Sequence, residues 1–352
     1  MLNAEQKEIY LITGAGGHLG GVIARELIKR KKKVRALFLP EEANSLPEEA
    51  EIYRGNVCEK ESLATFFSVP GMYERSRFGE RVIVIHCAGI VSIKSHFDQK
   101  VMDVNVGGTR NITELCEKHR VEKLVYVSSV HALPEEAEDR VIRETDEFHS
   151  EWVKGLYSKS KAEASALVME ATKRGLNASI VMPSGIIGPY DRGNNHLTVM
   201  IQQFLRGALP AGVNGGFDFV DVRDVAAGIL SCAEFGEAGR SYLMTGEYCP
   251  IPKLLSMLSD ISGQKAPRLN LSISAAKLFA PAAESWARMR KQRHLYTWYS
   301  MDTLGGGTRY SYDRAHRELG YTPRPLRRTL EDTVNWLRIQ ELAGEPETLL
   351  KD

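Results

Sequence analysis

At 352 residues, 43% of them hydrophobic, the chain exceeds the usual size of a single core and can bury a large one, as one domain with a lobe or as two domains. Its 46 Lys+Arg against 45 Asp+Glu leave a formal charge of +1, which offers no long-range attraction to nucleic acid or an anionic membrane and directs attention to a small-molecule partner. The cysteines at 58, 87, 116, 232 and 249 form no CxxC pair and no His/Cys metal spacing, and no run nears the roughly 20 apolar residues of a spanning helix; the expectation is a soluble cytoplasmic protein with reduced thiols and no metal.

The opening "MLNAEQKEIYLITG" is polar ahead of its first apolar run and reads as the lead into a strand, not as a signal peptide. Short β-branched runs then alternate with helical stretches: "EIYLIT" before "HLGGVIARELIKR", then "KVRALFL", "EIYRG", and "RVIVIHCAG" before "DVNVGGTRNITELCEKH". "KLVYVSS" precedes the helix "YSKSKAEASALVMEATKRG", and "ASIVMPSGIIG" follows it. Strand and helix in turn predict βαβ units and a parallel sheet buried on both faces, a doubly wound α/β Rossmann domain. After Pro189 the rhythm loosens into the helix-like "LTVMIQQFLRG" and the Gly-rich "LPAGVNGG". "FDFVDVRDVAAGILSCAE" then predicts a strand feeding a helix capped by Asp221 or Asp224, and "RSYLMTG" one more strand. These pieces divide into a dinucleotide-binding domain over 1–188 and 217–246 and a smaller, mainly helical substrate lobe over 189–216 and 247–352. Such a lobe would lie over the C-terminal edge of the sheet, where ligands of open α/β sheets bind. The basic and aromatic stretch 286–299 reads as a solvated helix of that lobe, with contact to a membrane surface as the other reading.

Two local patterns carry chemistry. Between the first strand and its helix stands "TGAGGHLGG", with Gly14, Gly17 and Gly20 three apart where the commoner dinucleotide fingerprint would need glycine at Leu19. Glycine lets the backbone approach a pyrophosphate, and the free N–H groups of the helix start favour the anion. The end of the second strand should read the adenosine ribose, with an acid for NAD or an arginine for the 2′-phosphate of NADP. Phe38 and Leu39 stand there, with Arg35 earlier in the strand, so the cofactor is NAD or NADP without a stated preference. The run "KRKKK" at 29–33 would reach a 2′-phosphate or simply complement its helix dipole. The second pattern is "GLYSKSK": spacing of four puts Tyr157 and Lys161 on one helix face, a phenol beside an ammonium. With an ordinary pKa near 10, a tyrosine transfers protons well near neutrality only where a positive charge favours its phenolate.

In chain order, "TGAGGHLG", "HCAG" at 86–89, Asn105 in "DVNVGGT", "VSSV" at 127–130, "YSKSK" at 157–161 and "MPSGIIGP" at 182–189 resemble the extended short-chain dehydrogenase/reductases. "FVDVRDVA" and "YDRAHRELGY" extend the likeness, and within the family the chain looks most like the dihydroflavonol reductase and 3β-hydroxysteroid dehydrogenase group. The resemblance implies an NAD(P)-dependent oxidoreductase moving a hydride between nicotinamide and a ketone or secondary alcohol of a steroid-like, flavonoid-like or smaller molecule. Tyr157 would be the general acid/base, Lys161 its electrostatic tuner and a ligand of the nicotinamide ribose, and Ser129 the group that polarises the carbonyl, unless a one-residue shift exchanges it with Ser128. Asn105 would bind a backbone carbonyl or water behind Lys161. The resemblance assigns the cofactor to Gly14, Gly17, His18, Leu19 and Gly20, to Arg35, Asn56 and Val57 toward the adenosine, and to Ala88 and Gly89 at its ribose. Ser128, Tyr157, Lys161, Pro183 and Ser184 would stand at the nicotinamide end. Asn56 occupies a position where the family usually carries aspartate. His131 either lines the active site or is an ordinary polar loop residue.

A nucleotide-sugar epimerase or dehydratase would use the same triad. Such enzymes commonly carry an arginine shortly before the strand written here "FDFVDV", and "NGGFDFVDV" has none, although Arg192 or Arg206 could supply a phosphate clamp. A non-catalytic dinucleotide sensor, the third class, often lacks the Tyr/Lys pair. The helices "VMDVNVGGTRNITELCEKH" and "YSKSKAEASALVMEATKRG" predict a homodimer through a four-helix interface.

Overall fold

The structure, a computed structural model, describes residues 8–69, 81–92, 97–134, 141–191, 195–278 and 304–342. Seven strands build one parallel sheet: β1 (Glu8–Thr13), β2 (Lys33–Phe38), β3 (Glu51–Arg54), β4 (Arg81–His86), β5 (Lys123–Val127), β7 (Ala178–Pro183) and β11 (Ser241–Met244). Their order is β11-β7-β5-β4-β1-β2-β3. Along β1 the period-2 alternation sends Ile9 and Leu11 into one apolar cluster and Tyr10 and Ile12 into another, so the sheet is buried on both faces. The helices α1 (His18–Lys29), short α2 (Ala64–Phe67) and α3 (Gln99–Met102), α4 (Thr109–His119), α5 (Leu156–Lys173), α6 (His196–Leu205), α7 (Val222–Phe235) and α8 (Ile251–Ser262) follow in chain order. One face of the sheet packs on α1, α7 and the helix Asp313–Leu319, and the other on α2, α4 and α5. The doubly wound sheet expected from the sequence is what forms. Its order reverses between β1 and β4, which brings the glycine turn and residues 87–89 to one crevice.

A second sheet joins β8 (Gly185–Ile187), β10 (Gly216–Asp221) and β12 (Glu247–Pro250) in the order β12-β10-β8. It packs with α6, α8 and the helix Leu326–Leu342 around a third apolar cluster. The lobe is therefore not only helical, and β8 and most of β10, read from sequence with the Rossmann segments, pair with each other and with β12. Gly185 permits the close approach, because a Cβ there would stand 3.0 Å from Asp218 O. Two short pairs, β6 (Val141–Ile142) with β14 (Arg309–Tyr310) and β9 (Gly212–Val213) with β13 (Asn270–Leu271), tie loops to the lobe. Of the two candidate caps, Asp221 caps α7 by accepting the Arg223 N–H at 2.8 Å, while Asp224 binds Arg324. No described helix is long and apolar enough to cross a membrane. The stretch 286–299 and Arg192 lie outside the described residues.

Candidate functional site

The glycine turn is held open by backbone crowding. Gly14 has φ +68°, and a Cβ on it would lie 2.7 Å from Ala88 N; a Cβ on Gly20 would lie 2.3 Å from Gly14 O. Only glycine fits either position. A Cβ on Gly17 would meet nothing nearer than Gly14 O at 3.3 Å. Asp98, Asn195 and Asp221 cap their helices with side chains, whereas Gly17 caps α1 without any side-chain bond. The first N–H groups of α1 thus face a cradle of bare backbone suited to a pyrophosphate. His18 closes the turn's outer side by donating Nε2–H to Pro189 O at 2.9 Å, and burial holds its pKa below the ordinary value.

Tyr157 and Lys161 stand in the first turns of α5, both buried, and both line one cavity of about 520 Å³ together with Ser129, Pro183, Ser184 and the glycine turn. Lys161 Nζ donates to Val127 O at 2.8 Å and lies 5.1 Å from the centroid of the Tyr126 ring. Burial lowers its pKa to about 8. Ser129 Oγ accepts the His131 N–H at 3.3 Å. Ser128 Oγ pairs with Ser165 Oγ at 2.7 Å, and Ser165 in turn donates to Lys161 O. The Ser128 proton is thereby directed into α5, which separates the two serines as strand alternation predicts. His131 stacks on Phe217, with centroids 5.5 Å apart and planes at 12°, and meets Tyr157 edge-on at 5.8 Å. It lines the cavity, and burial pushes its pKa down to about 4, so the ring is neutral.

Asn105 sits in a π-helical turn, Asp103–Gly108, ahead of α4. It donates to Ile90 O at 3.0 Å and to Ser160 Oγ at 2.9 Å, and accepts the Ile90 N–H at 2.8 Å. The backbone carbonyl it binds is therefore that of Ile90, next to Gly89, where a Cβ would stand 3.4 Å from Lys161 Nζ. Four further positions lie off the cavity wall, Ala88 among them, whose N–H donates to Thr13 Oγ1. Asn56 folds back to accept the Cys58 N–H, and Val57 packs under Gly108. Arg35 requires a correction: its guanidinium bonds Glu51 at 2.8 Å and Ser68 O at 2.9 Å, so it points to β3 and the loop after α2, not to a ribose. Arg206, offered as a clamp, pairs with Glu341 at 3.5 Å.

Residues 10–244 match the NAD dependent epimerase/dehydratase family. The chain belongs to that family. It is 31% identical over 340 residues to the sterol demethylase protein B of Methylococcus capsulatus, covering 93% of this chain and 98% of that one. It is 28% identical over 346 residues to a putative dihydroflavonol 4-reductase of Synechocystis sp., with coverage of 94% and 95%. The crystal structure of gox2253 superposes with a TM-score of 0.79 at 30% identity, over 95% of this chain and 99% of that one. The family and these relatives make the chain an NAD-dependent enzyme of the reductase or dehydrogenase type.

For this member of the epimerase/dehydratase family, three buried or turn-side residues escaped the sequence reading. His86 Nδ1 meets Thr13 Oγ1 at 2.7 Å, and its Nε2 meets Thr109 Oγ1 at 3.1 Å. Thr109 donates to Asn105 O, which leaves its oxygen to accept the Nε2 proton, and burial drives the His86 pKa down to about 3. This neutral relay fixes Thr13, whose Oγ1 accepts the Ala88 N–H. Glu42, four residues past β2, turns back so that Oε2 accepts the Leu39 N–H at 2.9 Å and lies 2.9 Å from where a Cβ on Gly16 would be. Asp218 binds Ser184. Of the three, only His86 had a local signal, inside the quoted "HCAG".

Proposed function

We propose that this enzyme transfers a hydride between NAD(H) and a ketone or secondary alcohol on a largely apolar small molecule, steroid-like or flavonoid-like in character. The observation that supports this most directly is the make-up of the cavity. With Tyr157, the apolar Val91, Leu197, Met200, Leu209, Val213 and Ile251 line it beside the polar Ser92, Asn195 and His196, and Lys161 is the only lysine or arginine among the described residues lining it. Among the described residues of the wall a sugar-nucleotide pyrophosphate would meet Asp191 and no arginine, which favours the reductase over the epimerase or dehydratase reading.

In reduction, Tyr157 gives its phenolic proton to the carbonyl oxygen, and Ser129 donates a second hydrogen bond to the same atom. In oxidation, Tyr157 takes the proton from the alcohol. Lys161, held by Val127 O, keeps a positive charge beside the phenol and favours its ionised form. The nicotinamide, when bound, supplies or accepts the hydride. Asn105 steadies the Gly89–Ile90 backbone that Lys161 approaches. Glu42, with its carboxylate beside the glycine turn, is the acid we assign to the ribose of NAD in place of the strand-end residue the sequence lacks.

The test is a panel of hydrophobic ketones and alcohols beside UDP- and dTDP-sugars, with NADH and NADPH, followed by nicotinamide absorbance and product analysis. Net oxidation of NADH by a ketone is expected, and turnover of the sugar nucleotides alone would overturn the reading. We further propose a cytoplasmic homodimer; the five free thiols suit a reducing compartment. The apolar stripes of α4 and α5 are spent on the core, and α4 turns Arg110, Glu114 and Lys118 outward, so an interface there is a charged one.

A further inference from the structure

Asp218 is a buried carboxylate that the proposed chemistry does not use. It lies in β10 between Phe217 and Phe219, which both line the cavity, and strand alternation turns it the other way, onto the ends of β7 and β11. Its Oδ1 accepts the Ser184 hydroxyl at 2.5 Å and the Gly246 N–H at 2.8 Å. It is 3% exposed, and no described lysine or arginine pairs with it. Keeping an unpaired carboxylate there is costly, and among the described residues two hydrogen bonds compensate it.

We propose that Asp218 is a positioning residue for the nicotinamide: by holding the Ser184 proton it leaves that oxygen, on the cavity wall, able to act only as an acceptor, the partner a carboxamide N–H requires. The inference rests on the reading of Ser184 as a nicotinamide-facing residue. A side chain at 218 with no acceptor would let the Ser184 proton turn either way, and the carboxamide would meet a donor as often as an acceptor.

The same geometry gives a pH signature. Burial raises the Asp218 pKa to about 6, with Glu247 adding repulsion. Around it stand Tyr248, its cross-strand partner on β12 with Arg309 over the ring, and Tyr321, which donates to Thr245 O; Asp221 further along β10 is paired with Arg223. Once protonated, Asp218 donates in its turn, and Ser184 loses its fixed polarity.

The experiment compares NAD and ADP-ribose, which lacks the nicotinamide, by calorimetry on wild type, Asp218→Ala and Ser184→Ala. Each variant is expected to bind NAD about five- to tenfold more weakly, the scale of one hydrogen bond, while ADP-ribose affinity stays within about twofold. The NAD preference of the wild type should shrink from pH 7 to pH 5, and that of Asp218→Ala should not change. ADP-ribose binding also reports that the variant is folded. Equal weakening of both ligands means a merely structural role, and unchanged NAD affinity means none; either result overturns the proposal. Loss in Asp218→Ala without loss in Ser184→Ala overturns the route through Ser184. Absence of NAD binding by the wild type would instead overturn the functional reading beneath it.

Discussion

Tyr157 and Lys161, four apart, share one helix face and line one cavity, as a proton donor and its electrostatic tuner must on the proposed mechanism. Tyr157→Phe keeps the ring and removes the proton; turnover should fall by roughly two orders of magnitude or more, with NAD affinity retained in a binding titration. Lys161→Met should lose both turnover and cofactor affinity if, as proposed, the ammonium also serves the ribose. It carries a stability signature as well. The folded pKa of Lys161 is about 8 against 10.5 for the free side chain, so the unfolded chain holds more protons between those values, and stability rises with pH across that window. At pH 7 the buried ammonium costs roughly 3 kcal/mol, at about 1.4 kcal/mol per unit. Lys161→Met is therefore expected to melt higher than wild type at pH 7, with the gap closing toward pH 10; a gap that does not depend on pH would contradict the shift. Glu42→Ala should lower the ratio of kcat/KM for NADH over NADPH by about tenfold or more, and an unchanged ratio would remove Glu42 from ribose recognition.

At the scale of elements, the β1–turn–α1 unit separates glycines that the fold needs from one we assign to the pyrophosphate. Gly14 and Gly20 touch backbone so closely that any side chain distorts the turn, while a Cβ on Gly17 would press only on Gly14 O, at 3.3 Å. Gly17→Val should thus melt close to wild type and yet fail to bind NAD, because its methyl groups fill the place of the pyrophosphate. If calorimetry finds NAD binding undiminished, the pyrophosphate does not sit on this turn. Gly20→Ala should instead lower the melting temperature, since its Cβ would lie 2.3 Å from Gly14 O. The motif "TGAGGHLGG" announced the turn, but only the packing of the turn against Ala88 distinguishes these roles.

For the whole molecule, a dimer built on α4 and α5 would meet through Arg110, Glu114 and Lys118 more than through apolar surface. Salt shortens the screening length from about 10 Å at 0.1 M to about 3 Å at 1 M, so the light-scattering mass should be that of a dimer at low salt and fall toward the monomer as salt rises. A monomer at low salt would refute the assembly. The sequence by itself determined the alternation of strands and helices, the glycine turn and the Tyr157/Lys161 pair, because periods of 2 and 3.6 and spacings of a few residues are local properties of the chain. It also predicted Asp221 or Asp224 as the cap of α7, and the structure chose Asp221. Tertiary structure alone decided that β8 and β10 leave the main sheet for their own, that Arg35 turns to Glu51, that Glu42 reaches back to the glycine turn and that Asp218 holds Ser184. Periodicity tells a residue that it faces a core. Which partner it meets there depends on strand order and register, and those bring together residues such as Ser184 and Asp218 that no local pattern connects.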